Sequence, residues 1–276
     1  MFVRVNAARR QSRVGPADIA SHLAELVRQR GVAWVLVARE LRARYRSSTL
    51  GYLWTLLNPL LHLGIYTLVF SVFLRVEVED YPLFLFSALL PWTWLSASLG
   101  SAVTSLHDGA NLVTRSLLAP QLLPTVRVVE NGLNLLFTLP VLVGVAFVVG
   151  RPPGASWSAI PLLLVAELFL LQGLCLATAA LCARFRDVEF LVRHLLTFWL
   201  YLTPILYPLS AIPESLRPLA LLNPMTPLAL AWQDALYAGR FPSAWHLALA
   251  FAWGLLALIG GLVVFERLRD RLVEEL

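Results

Sequence analysis

The chain is 276 residues long, 58% hydrophobic and only 14% charged, and its mean hydropathy is +0.71. Soluble domains contain about 45–50% apolar residues, so this composition excludes an ordinary water-soluble protein. The net charge of +5 includes 22 basic residues, and all of them are arginine. Because lysine is absent, the sequence cannot contain the phosphate-binding loop GxxxxGK[ST], and we expect no ATP binding by that loop.

Residues 1–50 precede the first long apolar run and are predicted to form cytoplasmic amphipathic helices at the membrane interface. Apolar residues recur at helical spacing from Pro16 to Arg30. In the next stretch Trp34, Ala38 and Leu41 form one stripe and arginines form another. Such helices lie along the membrane surface.

Long apolar runs follow. A bilayer core about 30 Å thick needs about 20 apolar residues per helix, and five uncharged runs reach that length. A sixth, Pro152 to Ala183, is interrupted only by Glu167. We expect one helix there, in which the buried acid has either a functional or a structural role. The predicted spans are 51–74, 81–106, 127–149, 157–182, 190–208 and 244–265, with a cytoplasmic tail at 266–276.

Six spans would place both termini on one side of the membrane. With the N terminus in the cytoplasm, 18 of the 22 arginines fall in cytoplasmic segments. Only Arg75, Arg151, Arg217 and Arg240 remain outside. Arginine is enriched in cytoplasmic loops of membrane proteins, so the termini are predicted to be cytoplasmic. The basic charge then reflects topology and anionic lipid, not nucleic acid.

Prolines interrupt the first and the fifth of the predicted spans. Pro59 lies within the first span, and Pro204 and Pro208 lie at the outer end of the fifth. Each proline removes a backbone hydrogen bond, and the affected backbone needs protein or water nearby. The segment Pro218 to Gln233 is uncharged but too short to span. We therefore predict a re-entrant or interfacial segment between spans five and six.

Residues suited to catalysis or metal binding are sparse. The five histidines are scattered singly, no HExxH or CxxC motif occurs, and Cys175 and Cys182 are expected to be small core residues. Asp187 and Glu189 form the only close acidic pair in a cytoplasmic loop, and that loop is too short to build a pocket. A contact surface is favoured there, as it is for the short helix predicted at Gly109 to Leu118.

Four motifs occur in a fixed order along the chain: RELRARYRSSTLGYLWTLLNPL (39–60), FRDVEFLV (185–192), TPILYP (203–208) and NPMTPL (223–228). Together they resemble those of the ABC-2 type permeases that export polysaccharide, above all the membrane subunits of O-antigen and teichoic acid exporters. The resemblance extends from about Val32 to Phe265.

The resemblance implies an all-α, six-span subunit of the bacterial inner membrane that works as a homodimer. It implies two copies of a separate ATPase, which would bind ATP and Mg. The cargo would be a polysaccharide linked to undecaprenyl diphosphate, moved out of the cytoplasm. The chain itself would be a channel-forming subunit and not an enzyme.

The resemblance also implies roles for particular segments. The ATPase would contact the region Asp108 to Gln121 and the loop Arg184 to Glu189, and short helices within Pro213 to Pro242 would gate the exit. The coupling residues are then Asp108, Leu112, Leu117, Leu118, Arg186 and Asp187. The outer gate residues are Pro204, Pro208, Asn223, Pro224 and Pro227.

Aromatic and basic residues complete the predicted path. Sugars stack on aromatic faces, and the first and fifth spans line the channel in the family, so their aromatic residues are expected to contact the polymer. An interfacial aromatic belt is the alternative. These aromatics are Tyr52, Trp54, Tyr66, Trp199, Tyr201 and Tyr207. Arginine binds diphosphate well, so Arg39, Arg42, Arg44 and Arg46 are expected to form either the entrance for the lipid diphosphate or an anionic-lipid anchor.

Other functions remain open from the sequence. Teichoic acid and capsular polysaccharide exporters carry the same motifs. A secondary transporter usually shows inverted repeats and several intramembrane ionisable groups, whereas this sequence has no visible repeat. A polyprenyl-phosphate transferase is a third possibility.

Overall fold

The structure is a computed structural model that describes residues 24–45, 50–51, 53–116 and 118–275. Over these ranges the chain is helical and contains no strand. This agrees with the all-α class expected from the sequence. The long helices are joined by short connections and by a cluster of short helices that precedes the last span.

The helices are numbered in chain order. They are α1 (Arg30–Tyr45), α2 (Leu53–Thr67), α3 (Tyr81–Ala102), α4 (Ser105–Asp108), α5 (Ala110–Ser116), α6 (Leu122–Val148), α7 (Ile160–Arg184), α8 (Asp187–Leu202), α9 (Arg217–Leu221), α10 (Met225–Leu236) and α11 (Ala244–Glu275). A π-helical segment, Leu68–Phe73, extends α2, and 3₁₀ turns occur at Ala155–Ala159, Leu209–Ala211 and Glu214–Leu216.

Five helical segments are long and apolar enough to cross a membrane: Leu53–Phe73, Tyr81–Ala102, Leu122–Val148, Ala155–Arg184 and Ala244–Arg269. The multi-pass membrane class is therefore confirmed. The expected sixth span is not confirmed by length, because α8 has 16 residues. At 1.5 Å per residue it measures about 24 Å, less than the roughly 30 Å apolar core of a bilayer.

Helix α3 is central in the bundle, packed against α6, α10, α7, α2 and α8. Large apolar residues such as Leu85, Phe86 and Leu95 are fully buried on it. All twelve residues of α10 are buried, which shows that this short helix lies inside the protein. In contrast, only 6% of the α2 span is buried, so most of its apolar surface faces outward.

Helices α7 and α11 pack with their backbones in contact. A Cβ atom at Gly173 would collide with the Ala257 carbonyl, and one at Gly261 would collide with the Gly173 backbone. Gly254 is less tightly packed, with the Ala166 carbonyl oxygen 2.8 Å from an ideal Cβ position. Small residues let transmembrane helices approach in this way. This pair holds the last span against the fourth.

Helix α1 packs against the bundle through two apolar residues. Leu36 and Val37 are buried, whereas Trp34, predicted to lie on the apolar stripe, is 60% exposed. Glu40 and Arg44 on the same helix contact charged residues of α6, so α1 is held to the bundle by apolar packing and by ion pairs. Most of the predicted helix from Pro16 to Arg30 lies outside the described residues.

The interrupted run at 152–183 forms one helix, as the sequence predicts, with Glu167 fully buried on α7. Trp232 of α10 is its polar neighbour. Neither Glu167 oxygen nor the Trp232 indole nitrogen has a hydrogen-bonding partner among the described residues. The buried position favours a role inside the subunit. Cys175 and Cys182 are free and buried, as expected for core residues.

Candidate functional site

A hydrogen-bonded clasp joins the end of α8 to the start of α10. The Trp199 indole N–H donates to Asn223 Oδ1 at 2.6 Å, and the Asn223 amide donates to Thr203 Oγ1 at 2.9 Å. The same Asn223 oxygen accepts from the Met225 backbone amide at 3.0 Å, which caps α10. Trp199 also meets Trp92 of α3 edge to face, with ring centroids 6.0 Å apart. One asparagine therefore fixes two predicted site segments together.

Next to this clasp is a largely apolar pocket of about 560 Å³. Two predicted path aromatics, Trp199 and Tyr207, line it together with two predicted gate residues, Asn223 and Pro224. The rest of the lining comes from α8 and the short helices: Leu195, Leu202, Ile212, Leu216, Leu219 and Ala220. The structure thus brings residues of α8 together with residues of the short helices that follow it, between Leu195 and Pro224.

The segment between α8 and the short helices is held although it is not helical. Gln233 of α10 donates to the Pro204 carbonyl at 3.0 Å, and the Tyr81 hydroxyl donates to the Leu206 carbonyl at 2.8 Å. Tyr207 bonds back to the Tyr201 carbonyl at 2.7 Å. These donors replace helical hydrogen bonds that the prolines remove. Pro208 precedes a 3₁₀ turn, and Pro227 is buried within α10.

The remaining predicted aromatics are spread over two regions. Tyr66 packs beside His62, with centroids 6.1 Å apart, and is near enough to Tyr201 to interact electrostatically. Tyr201 is 53% exposed on α8. Trp54 lines a different cavity, between α2, α3 and α6. Tyr52 lies outside the described residues.

Four charged side chains form a network where α1 crosses α6. Arg44 contacts Glu130 at 2.8 Å, and Arg127 contacts Glu40 at 2.6 Å and Glu130 at 3.5 Å. Arg44 also donates to Asn131 Oδ1 at 2.9 Å. Sequence spacing predicts the pairing of Glu130 with Arg127, and the structure adds Arg44 as the nearer partner. In the sequence, the signal for this network is Glu130, an acidic residue near the start of the predicted span 127–149.

The electrostatics of the network favour the charged state of Glu40. Burial by itself raises the pKa of this carboxyl, but the hydrogen bond and charge of Arg127, assisted by Arg39, outweigh it. The pKa therefore lies below its ordinary value. Arg39 is exposed and contacts Glu40 at 3.1 Å, and Arg42 bonds to the Ala38 carbonyl. Arg46 lies outside the described residues.

The two predicted coupling segments meet at the same end of the bundle. A His107 ring nitrogen lies 3.2 Å from the Cys182 carbonyl oxygen. Asp108, Arg186 and Asp187 are exposed there. A helix occurs at Ala110–Ser116, within the predicted Gly109 to Leu118.

The leucines of this region point mainly inward. Leu118 is 8% exposed, and Leu112 packs partly buried in the same cluster, which also contains Leu36 of α1. Leu117 lies outside the described residues. Contact of these leucines with an ATPase stays a prediction, and the exposed side chains of the segment include Asp108, Asn111 and Thr114.

Two ion pairs at the opposite end of the bundle were not anticipated from the sequence. Arg151 contacts Glu79 at 2.9 Å, tying two connections together. Asp234 of α10 contacts Arg240 at 2.6 Å. Burial by itself raises the pKa of Asp234, but hydrogen bonds and charges from His246 and Arg240 outweigh it and lower the pKa.

Comparison with known proteins decides the family. The ABC-2 type transporter family matches residues 32–237. The chain belongs to the ABC-2 type transporter family. It is 39% identical over 256 residues to the O-antigen export system permease protein RfbA of Myxococcus xanthus, covering 91% of this chain and 98% of the relative. A Klebsiella pneumoniae permease of the same name is 32% identical over 87% of this chain and 93% of the relative.

A more distant relative is the polysialic acid transport protein KpsM of Escherichia coli, 23% identical over 84% of this chain and 91% of the relative. The family match spans α1 to the end of α10. The clasp, the apolar pocket beside it, the charged network and the two predicted coupling segments all lie within this region. They are therefore parts of the ABC-2 permease unit.

Proposed function

We propose that this chain is the permease subunit of an ATP-driven exporter that moves an O-antigen-like polysaccharide, linked to a lipid diphosphate, out of the cytoplasm. The observation that carries the proposal is the 39% identity with an O-antigen export permease over nearly the full length of both chains. The permease forms the path, and a separate ATPase supplies the energy.

The proposed topology has six spans and cytoplasmic termini. Helix α8 crosses together with the following segment 203–208, whose Ile205 and Leu206 are fully buried. Helix α10 is then a re-entrant helix that enters from the outside and is held within the bundle. The distribution of 18 of the 22 arginines on the cytoplasmic side supports this orientation.

Two copies of the chain would enclose the path. Helices α2 and α8 carry much exposed apolar surface, including Leu61 and Ile65 on α2 and Phe198 and Leu202 on α8. In the homodimer these helices would line the channel and face the partner. Tyr201 would provide weak stacking contacts for a sliding sugar chain, and the clasp at Asn223 would close the outer end.

Two copies of the ATPase, which would bind ATP and Mg, would dock where α4, α5 and the turn before α8 meet. Its movement would reach the bundle through the interior leucines of that segment, Leu112 and Leu118, which pack against α1. Closure of the ATPase would thus be transmitted to α1 and α6 together.

Deletion of the gene followed by analysis of membrane lipids tests the proposal. A stalled exporter leaves its substrate inside, so a lipid-linked glycan should accumulate and surface polysaccharide should disappear. Restoration by the wild-type chain, together with an active ATPase, is expected. Normal surface polysaccharide without accumulation would contradict the proposed function.

A second cargo is supported by the relative from Escherichia coli, which is named for polysialic acid transport. A capsular polysaccharide carried by the same path would give the same accumulation with a different glycan. Chemical analysis of the accumulated glycan distinguishes the two.

A further inference from the structure

A cleft of about 360 Å³ with several polar side chains in its lining lies between α2, α3 and α6 and shares no lining residue with the apolar pocket beside the clasp. Its volume falls within the roughly 300–1,000 Å³ of small-molecule sites. Three spans each turn polar side chains toward it, although the sequence around them is mainly apolar. They are Asn58 and His62 on α2, Thr93 and Ser96 on α3, and Asn131, Asn134 and Thr138 on α6.

Asn134 is the residue that most needs a partner in this cleft. Both its amide nitrogen and its amide oxygen are buried without a hydrogen-bonding partner among the described residues. An unsatisfied buried polar group costs about 1–3 kcal/mol. Asn131, one turn away, differs because Arg44, Ser101 and the Arg127 carbonyl satisfy it. A ligand hydroxyl can donate to the Asn134 oxygen and accept from its nitrogen.

Arg44 lies at one end of the cleft and supplies positive charge. Its contacts to Glu130 and Asn131 are both made by Nη2, while a guanidinium also carries N–H groups on Nη1 and Nε. The side chain is 34% exposed. Guanidinium groups bind phosphate in a bidentate manner. An anionic group entering the cleft would therefore meet Arg44.

The cleft extends from Arg44 into the span. Thr138 is seven residues beyond Asn131 on α6, which is about 10 Å along the helix. The cleft is also open along α2, where Asn58 and His62 are exposed. Trp54 offers a partly exposed indole face beside them. The ligand that fits carries an anionic group next to several hydroxyls and has an apolar part that can stay in the bilayer.

We propose that this cleft binds the phosphate–sugar junction of a lipid-linked glycan, with the phosphate at Arg44 and the first sugar at Asn134. The proposal rests on the proposed function and adds a holding site for the head of the substrate. The lipid tail leaves the cleft through its open side along α2.

Binding to the purified full-length permease in lipid nanodiscs tests the assignment. The probe is a fluorescent polyprenyl diphosphate carrying one N-acetylhexosamine. Asn134→Leu removes the amide and fills the cleft, and it should weaken binding about tenfold, the effect of roughly 1.4 kcal/mol. Phe137→Leu is the matched control because Phe137 is on the same helix but 53% exposed outside the cleft. It should bind like wild type.

Milder variants keep the test decisive if Asn134→Leu does not fold. Asn58→Ala and Ser96→Ala shorten cleft side chains on the other two helices without adding volume. Each should weaken binding several-fold while the melting temperature stays within error of wild type. Wild-type affinity in both variants would overturn the assignment.

Two further probes distinguish a lipid-linked sugar phosphate from a free sugar phosphate and from a lipid diphosphate without sugar. Free N-acetylhexosamine 1-phosphate should bind more weakly than the lipid-linked probe, and equal affinity would overturn a lipid-linked ligand. Polyprenyl diphosphate without sugar should be insensitive to Asn134→Leu, and equal sensitivity would overturn the sugar contact. If the wild-type permease exports in cells but binds no probe, the assignment of the cleft as a binding site is overturned and the proposed function is not. Absence of accumulated glycan on deletion overturns the proposed function itself.

Discussion

Gly173 and Gly261 determine how closely α7 and α11 approach. A side chain at either position would meet backbone atoms of the other helix, which cannot move aside as a flexible side chain does. In lipid, helices associate through close packing because apolar surface gains little from leaving an apolar solvent. The absence of two Cβ atoms is thus a stabilising feature of this pair.

Replacement of Gly261 tests this contact. Gly261→Ala should destabilise the permease by about 1–3 kcal/mol, the usual effect of overpacking, and lower its melting temperature in detergent. Gly260→Ala is the matched control, since nothing lies within 4 Å of its Cβ position on the same helix. It should melt at or slightly above the wild-type temperature, because alanine favours helix. Equal melting of both variants would show that α7 and α11 are further apart.

The lowered pKa of Asp234 leads us to expect that the stability of the permease depends on pH. Its pKa in the folded chain is below the ordinary value of 3.8, so its contribution is complete above that value and is lost as pH falls through the lowered pKa. The melting temperature of wild type should therefore fall more steeply below about pH 4 than that of Asp234→Asn. At pH 7 the variant should be the less stable one. Parallel pH profiles of the two proteins would contradict the role of the Asp234–Arg240 pair.

At the scale of helices, α8 and α10 are joined by side-chain hydrogen bonds that cannot be predicted from the sequence. From the prolines at 204 and 208 the sequence predicts a broken end of α8. It also predicts a short segment before the last span that does not cross the membrane. It does not predict that Asn223 bonds to Trp199 and Thr203, because hydrogen bonds over 20 or more residues depend on packing. Similarly, spacing pairs Glu130 with Arg127, but only the crossing of α1 over α6 reveals Arg44.

The exposed coupling surface leads to a prediction about ATPase association. Asp108→Arg combined with Arg186→Glu reverses two exposed charges at the junction of α4 and the turn before α8. It should reduce co-purified ATPase about tenfold or more, since misplaced charge at an interface costs several kcal/mol. Insertion should be unchanged because both side chains face outward. Glu214→Arg, exposed at the other end of the bundle, is the control and should retain the ATPase. If the double variant still binds the ATPase fully, the ATPase docks on a different surface of the permease.

For the whole molecule, hydropathy predicts the membrane class and most of the spans, because length and composition alone determine whether a helix can cross. Five segments agree closely with the predicted ranges. The sixth is ambiguous because α8 ends at Leu202, and the chain continues in a non-helical form that no hydropathy window describes. The cleft between α2, α3 and α6 could not be predicted from the sequence, since its lining residues come from α1 and three spans and each looks isolated within its own helix.

In the proposed function, this chain forms half of a path through which an ATPase drives lipid-linked polysaccharide. Reconstituted transport tests it most directly. The permease and its ATPase are inserted together into liposomes with a labelled lipid-linked glycan, and a membrane-impermeant glycosidase reports the glycan that remains outside. Addition of ATP should render the glycan progressively resistant, whereas an ATPase lacking its nucleotide-site lysine should not. Protection without ATP, or driven by a proton gradient alone, would contradict ATP-driven export through this chain.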